Sequence, residues 1–309
     1  MKRIFPICLI GFILYAGPAS GQMQVSADPP EVIAVFESMY RYDLKDAGQK
    51  LKKLYATNID PSLIELTQVN LLWWLMISGD ESRDYDNMTT VILKRTISRL
   101  SLKPRSQMSR EDIFTMIHSY AYLTRVDIYF NRYLRGIANL RRTLDYLQIA
   151  LDNASRYDKY MLVAGLYHYF AKAAVIKYSF LAPFFSMAPP ADRELGYRLL
   201  NQCAGMNHLL IRNESLYYLM KINYQLEEDF SRSLRIADQL LAAYPNNLIY
   251  HYHRFTILLE AGLKEQALEQ YKRLVAVSAS APGLNAKQRT HLIDIAIRQL
   301  RRQRINPAI

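Results

Sequence analysis

An all-α protein assembled from antiparallel helical hairpins is what this sequence predicts, and three observations carry the prediction. Glycine and proline are scarce, 11 and 12 in 309 residues, too few for the many turns of a β-sandwich or barrel. From residue 31 onward apolar side chains recur at helical spacing, and no run reads convincingly as a strand. The breaks between periodic runs are short, so successive helices return on one another. Half the residues are apolar and 22% are charged, which excludes a disordered polymer and a mostly embedded membrane protein.

The first 21 residues stand apart. Lys2 and Arg3 precede an almost wholly apolar stretch, Ile4 to Ala16, and Ala19 and Gly21 occupy the −3 and −1 positions of a signal-peptidase site. They predict a secretory signal, residues 1–21, cut before Gln22. The apolar run is shorter than the roughly 20 residues that a membrane span needs. Cys8 lies inside the stretch rather than at its end, so lipoprotein acylation is not expected. The exported chain, 22–309, then has a net charge of +9 (the full +11 less Lys2 and Arg3) and a single thiol, Cys203. One thiol forms no internal disulfide, so the core alone must hold the fold.

The periodicity places helices at 31–41, 44–57, 62–78, 86–102, 110–130, 134–153, 157–178, 192–205, 212–226, 230–243, 248–261, 264–278 and 285–304. Asp60-Pro61-Ser62 starts the third helix and Gly79-Asp80 stops it. Ser109 with Asp112 fits a capping box. Pro183, Pro189 and Pro190 interrupt the middle of the chain, and Tyr244-Pro245-Asn246-Asn247 ends the tenth helix.

A period of 34 residues runs through the C-terminal half. It relates Ser233 to Ala267, Leu234 to Leu268 and Leu241 to Val275. Small Ser233 and Ala267 stand early in second helices, where two backbones approach closely. The segment resembles the tetratricopeptide repeat (TPR) superfamily. Tyr224, Pro245, Gly262, Ala267 and Tyr271 match its aromatic, helix-ending proline, turn glycine, small residue and second-helix aromatic. Lys221 stands where the pattern usually has glycine, and Ala237 where a bulky aromatic is usual. The clearest repeats are 214–247 and 248–281, with an echo in Tyr42-Asp43-Leu44-Lys45-Asp46-Ala47. The middle is similar to the degenerate repeats of secreted bacterial TPR-like helical-repeat proteins, through Gly165-Leu166-Tyr167-His168-Tyr169 and Asp192-Arg193-Glu194-Leu195-Gly196. The resemblance implies a right-handed superhelical solenoid of about six hairpins over 22–309. A C-terminal capping helix, 285–304, would close it with the polar face of Arg298, Arg301, Arg302 and Arg304.

No catalytic or metal-binding motif is present. The six histidines include no i,i+4 pair and no H-E-x-x-H. There is no G-x-S-x-G, P-loop or G-x-G-x-x-G, and Cys203 has no histidine placed beside it by the sequence. Neither enzyme activity, nor a cofactor, nor a metal is therefore expected. Tyrosine, 23 in all, is the more informative residue, combining rigid apolar area with a hydroxyl. In the family that the chain resembles, first helices line the concave surface. That implies a partner-binding groove at Tyr122, Arg125, Tyr129, Tyr167, Tyr217 and Tyr224; the alternative is that these rings fill gaps between helices.

The resulting expectation is a non-enzymatic exported scaffold, periplasmic or extracellular, that binds a protein or peptide partner in its groove. A second reading is a peripheral cell-envelope protein engaging anionic lipid or glycan. It would use the basic run Lys94, Arg95, Arg99, Lys103 and Arg105 and the apolar 180–190 loop. Nucleic acid is not an expected partner, because an exported chain meets acidic polypeptides, lipids and glycans instead.

Overall fold

The computed structural model describes residues 23–79, 83–177 and 188–306. The segment expected to be a secretory signal, its expected cut site and residues 180–187 of the apolar loop lie outside the described residues. Within them the protein is all-helical: α1 (Pro30–Tyr40), α2 (Leu44–Leu54), α3 (Pro61–Ile77), α4 (Arg83–Leu100), α5 (Arg110–Tyr129), α6 (Tyr133–Asp152), α7 (Asp158–Lys177), α8 (Arg193–Ala204), α9 (Leu209–Gln225), α10 (Phe230–Ala243), α11 (Leu248–Glu260), α12 (Lys264–Ser280) and α13 (Ala286–Arg302). No strand occurs among the described residues, only a single parallel bridge between Gln24 and Tyr157.

The helices start and stop for chemical reasons written in the chain. Asp60 accepts hydrogen bonds from the N–H groups of Ser62 and Leu63, with Pro61 in the first turn of α3. Ser109 and Asp112 form the expected capping box on α5, and Asn285 with Gln288 forms a second on α13. Two of the boundaries that differ from the sequence expectation have a visible cause. Helix α9 starts at Leu209 because the His208 ring caps it, its Nδ1 accepting from Ile211 N–H at 3.4 Å. Helix α2 stops at Leu54, whose carbonyl accepts the Thr57 hydroxyl at 2.7 Å.

Four turns share one geometry. Tyr42, Asn131, Glu228 and Gly262 each follow a helix with positive φ (64°, 58°, 55° and 75°). The N–H of the next residue then bonds back into the preceding helix, as in Asp43 to Ser38, Arg132 to Asp127 and Leu263 to Leu258. This left-handed cap satisfies the terminal carbonyls and reverses the chain within three or four residues. It makes hairpins of α1/α2, α5/α6, α9/α10 and α11/α12, whose partners pack along each other. Small residues sit where these partners cross: Ala47, Ser233 and Ala267 are fully buried. At the α7/α8 crossing, a Cβ added to Gly196 would lie 2.3 Å from the backbone nitrogen of Tyr169.

Each helix packs on its neighbour in sequence, and α1, α3 and α5 also pack successively, as do α7 with α9 and α11 with α13. The two ends of the chain also meet. One hydrophobic cluster joins α1–α3 to α9–α13, with Trp74 edge-on to both Tyr40 (6.0 Å) and Tyr250 (6.4 Å). Asn247 donates to the Tyr40 carbonyl at 2.8 Å, and Gln288 of α13 reaches Ser78 at the end of α3. Helix α13 covers α11 and α12 with Leu292, Ala296 and Leu300 and exposes Arg301 and Arg302.

Candidate functional site

The end-to-end contact creates the site. Helix α1 touches α3, α3 touches α5, α5 touches α6, α6 touches α7, α7 touches α9, and α9 returns to α1. This closed circuit surrounds a cavity of about 430 Å³, within the range of about 300–1,000 Å³ usual for small-molecule sites. Single faces of helices supply its walls. Phe114, His118, Tyr122 and Arg125 follow one another at three- and four-residue steps on α5; Leu162, Leu166 and Phe170 do the same on α7. Leu63, Leu66 and Asn70 line it from α3, and Glu214 and Tyr218 from α9. The walls are mostly apolar, so a few polar groups define its chemistry.

One polar group centres on Arg125. Its guanidinium lies over Trp73 (4.9 Å), Tyr122 (5.1 Å) and Tyr218 (5.8 Å). It donates to the Tyr218 hydroxyl, and Tyr122 donates to the Asn70 side-chain oxygen. Burial pushes the Glu214 carboxyl above its ordinary range, partly opposed by Arg125. Burial, reinforced by the charges of Arg125 and Lys159, pushes the His118 imidazole down to about 3, so it is neutral.

The second polar group is where the segment before α1 crosses the ends of α7 and α9. Lys159 Nζ lies 2.9 Å from Asp28 and 3.0 Å from Glu111. His208 Nε2 lies 3.4 Å from Asp28 and 3.1 Å from the Ser26 hydroxyl, and Ser26 donates to Asp158 at 2.8 Å. Burial alone would raise the Asp28 pKa, yet His208 and Lys159 hold it below the usual carboxylate range. Serine, histidine and aspartate meet here, but not as a hydrolytic triad. His208 Nδ1 accepts from a backbone N–H, so a neutral ring carries its proton on Nε2 and cannot take one from Ser26 there. The cluster is a clasp that fixes residues 24–28 against α7, with Gln24 N–H on the Arg156 carbonyl.

Of the six groove residues expected from sequence, Tyr122, Arg125 and Tyr167 line the chamber. The Tyr167 hydroxyl donates to the Pro189 carbonyl. Tyr129 lies outside it, edge-on to Trp73. Tyr217 and Tyr224 both bond His253, through its Nε2 and Nδ1, each at 3.2 Å. The chamber also contains Asn70, His118, Glu214 and Tyr218, which sequence reasoning passed over. For His118 the signal is the i,i+4 series Phe114-His118-Tyr122, mixed in polarity and ending near an arginine; Asn70, Glu214 and Tyr218 reach the chamber from other helices and have no such local signal. The basic run is divided: Arg95 and Arg99 clasp Glu65 at 2.8 and 2.5 Å, and Lys103 pairs with Asp112 at 3.0 Å. Arg105 lies over Tyr146, and Lys94 is exposed.

A second cleft, between α8, α9 and α10, is polar and holds Arg193 paired with Glu227 at 2.7 Å. Cys203 is a buried free thiol that burial pushes up to about 12, an unreactive state. Among the described residues no group of three or more His, Cys, Asp or Glu side chains could hold a metal ion, and no helix is long and apolar enough to cross a membrane. Comparison with known protein families, with curated proteins and with solved structures finds no match.

Proposed function

We propose that this is a non-enzymatic exported binding protein, a right-handed TPR-like solenoid of about six hairpins curled until its first helices enclose a ligand chamber. The observation that carries the reading is the closed circuit of helices around a largely apolar cavity of about 430 Å³. Helices α1, α3, α5, α7 and α9 open successive hairpins, and all five contribute to the wall, as the TPR resemblance implies for a concave face; α6, a second helix, adds Leu140, Thr143, Leu144 and Leu147 between α5 and α7. The recurrent left-handed turn, 34 residues apart at Glu228 and Gly262, further supports the repeat reading. The dimensions favour a small apolar molecule over a long peptide; a protein partner would enter only by inserting a short apolar anchor. Envelope binding through the basic run draws less support, since three of its five cations have carboxylate partners.

Native mass spectrometry of the protein purified from its own source tests the reading. A bound small molecule of constant mass is expected, and Ala121→Phe, which projects a ring from the chamber wall, should remove it. A preparation with no such molecule, or one that keeps it in the filled variant, would sink the proposal.

A further inference from the structure

We infer that the chamber takes a single-chain anionic amphiphile, with its acidic head group on Arg125 and its hydrocarbon tail along the apolar faces of α5 and α7. The inference rests on the chamber being the binding seat and adds the chemistry of its occupant. The first observation is the state of Arg125. Three aromatic rings cage its guanidinium, yet no carboxylate pairs with it among the described residues. A guanidinium carries five donors in a planar fork that matches a carboxylate or sulfate, and such bonds strengthen where water is excluded.

The second observation is charge balance around the cavity. Asp28 and Glu111 are both bonded to Lys159, and Asp28 also lies against the His208 ring. Glu214 is the remaining carboxyl on the wall; burial raises its pKa and the charge of Arg125 lowers it, but no ion pair joins the two among the described residues. Arg125 is thus the cation on the wall without a bonded carboxylate among the described residues, and an anion entering the chamber supplies one. A cationic head group would meet the opposite field.

Shape is the third. From Phe114 to Arg125 the lining face of α5 rises roughly 16 Å, opposite Leu162, Leu166 and Phe170 of α7. This is a long, mostly apolar surface with Arg125 at one end and Lys159, already paired with Asp28 and Glu111, over Phe114 at the other, which fits one linear tail with its head on Arg125.

Isothermal titration of the purified protein with dodecanoate, dodecanol and dodecyltrimethylammonium, beside phosphatidylglycerol vesicles, tests the inference. Dodecanoate should bind tightest, one per chain, and shift the emission of Trp73, over which Arg125 stacks. Arg125→Gln should weaken dodecanoate by about 10- to 100-fold and dodecanol by less than about twofold, the signature of a lost charge-assisted contact. Arg125→Lys, which keeps the charge, should retain most of the affinity and guards against misfolding of the glutamine variant. Ala121→Phe leaves Arg125 in place and should abolish binding of both. Dodecanol binding as tightly as dodecanoate, or dodecanoate indifferent to Arg125→Gln, overturns the anionic head group and leaves the chamber reading intact. Binding of the vesicles alone overturns the single-chain assignment. Failure of all three tails removes the chamber reading and the inference with it.

Discussion

Most of the tyrosines that mark this sequence act through their hydroxyl partners rather than through exposure. Tyr217 and Tyr224 grip opposite nitrogens of His253, and burial, with Lys221 nearby, pushes that imidazole down to about 3. The sign of the resulting pH dependence is definite. Between the ordinary value of 6.5 and about 3, the unfolded chain binds a proton that the folded chain does not. Stability is therefore lost as pH falls through this window. His253→Gln should cost about 1 kcal/mol at neutral pH through weakened hydrogen bonds while flattening the fall between pH 6.5 and 4 in urea-melt series. An unchanged slope would show that His118 and the carboxylates carry the whole acid response.

At the scale of the element, the hairpins depend on two backbone features. One is the left-handed turn, which glycine adopts freely and an L-residue adopts at a cost of about 1–2 kcal/mol. Exposed Glu228 occupies this turn at φ 55°, where its 34-residue equivalent is Gly262. Glu228→Gly is accordingly expected to leave stability unchanged or raise it by up to about 1 kcal/mol, whereas Gly262→Ala should lower it. The other feature is the backbone crossing of α7 and α8. A methyl group at Gly196 has no room against Tyr169 and Gly165, so Gly196→Ala should destabilise by about 1–3 kcal/mol or more. Thermal melts of the three variants decide both points, and a neutral Gly196→Ala would refute the close-crossing account.

At the scale of the whole molecule, the notable fact is that α1–α3 and α9–α13 share one core. An open repeat array has only nearest-neighbour interfaces and can fray from either end. Here Trp74, packed between Tyr40 and Tyr250, links helices far apart in sequence. Trp74→Ala should cost about 3–5 kcal/mol and raise amide exchange in α11 together with α3. Exchange confined to α2, α3 and α4 would mean that the ends behave independently. The same closure shapes the chamber, since without the α1–α9 contact the lining faces of α3, α5 and α7 would form an open concavity.

The sequence by itself determined the helices. Their periodicity, caps and turns are local, so all thirteen among the described residues were legible to within a few residues, and so were the small residues at the crossings of second helices. The meeting of the chain ends was not legible, because it depends on curvature accumulated over many packing angles that no short segment specifies. The site followed that same divide. Tyr122 and Arg125 could be named from an aromatic–basic pattern on one helix face, but Glu214 and Tyr218 come from α9, almost ninety residues later. Arg95 and Arg99 read as a free basic surface until α3 brought Glu65 between them. Local free energies set which residues become helical; long-range packing decided which charges are paired, as at Glu65, and left Arg125 on an apolar chamber wall with no bonded carboxylate among the described residues.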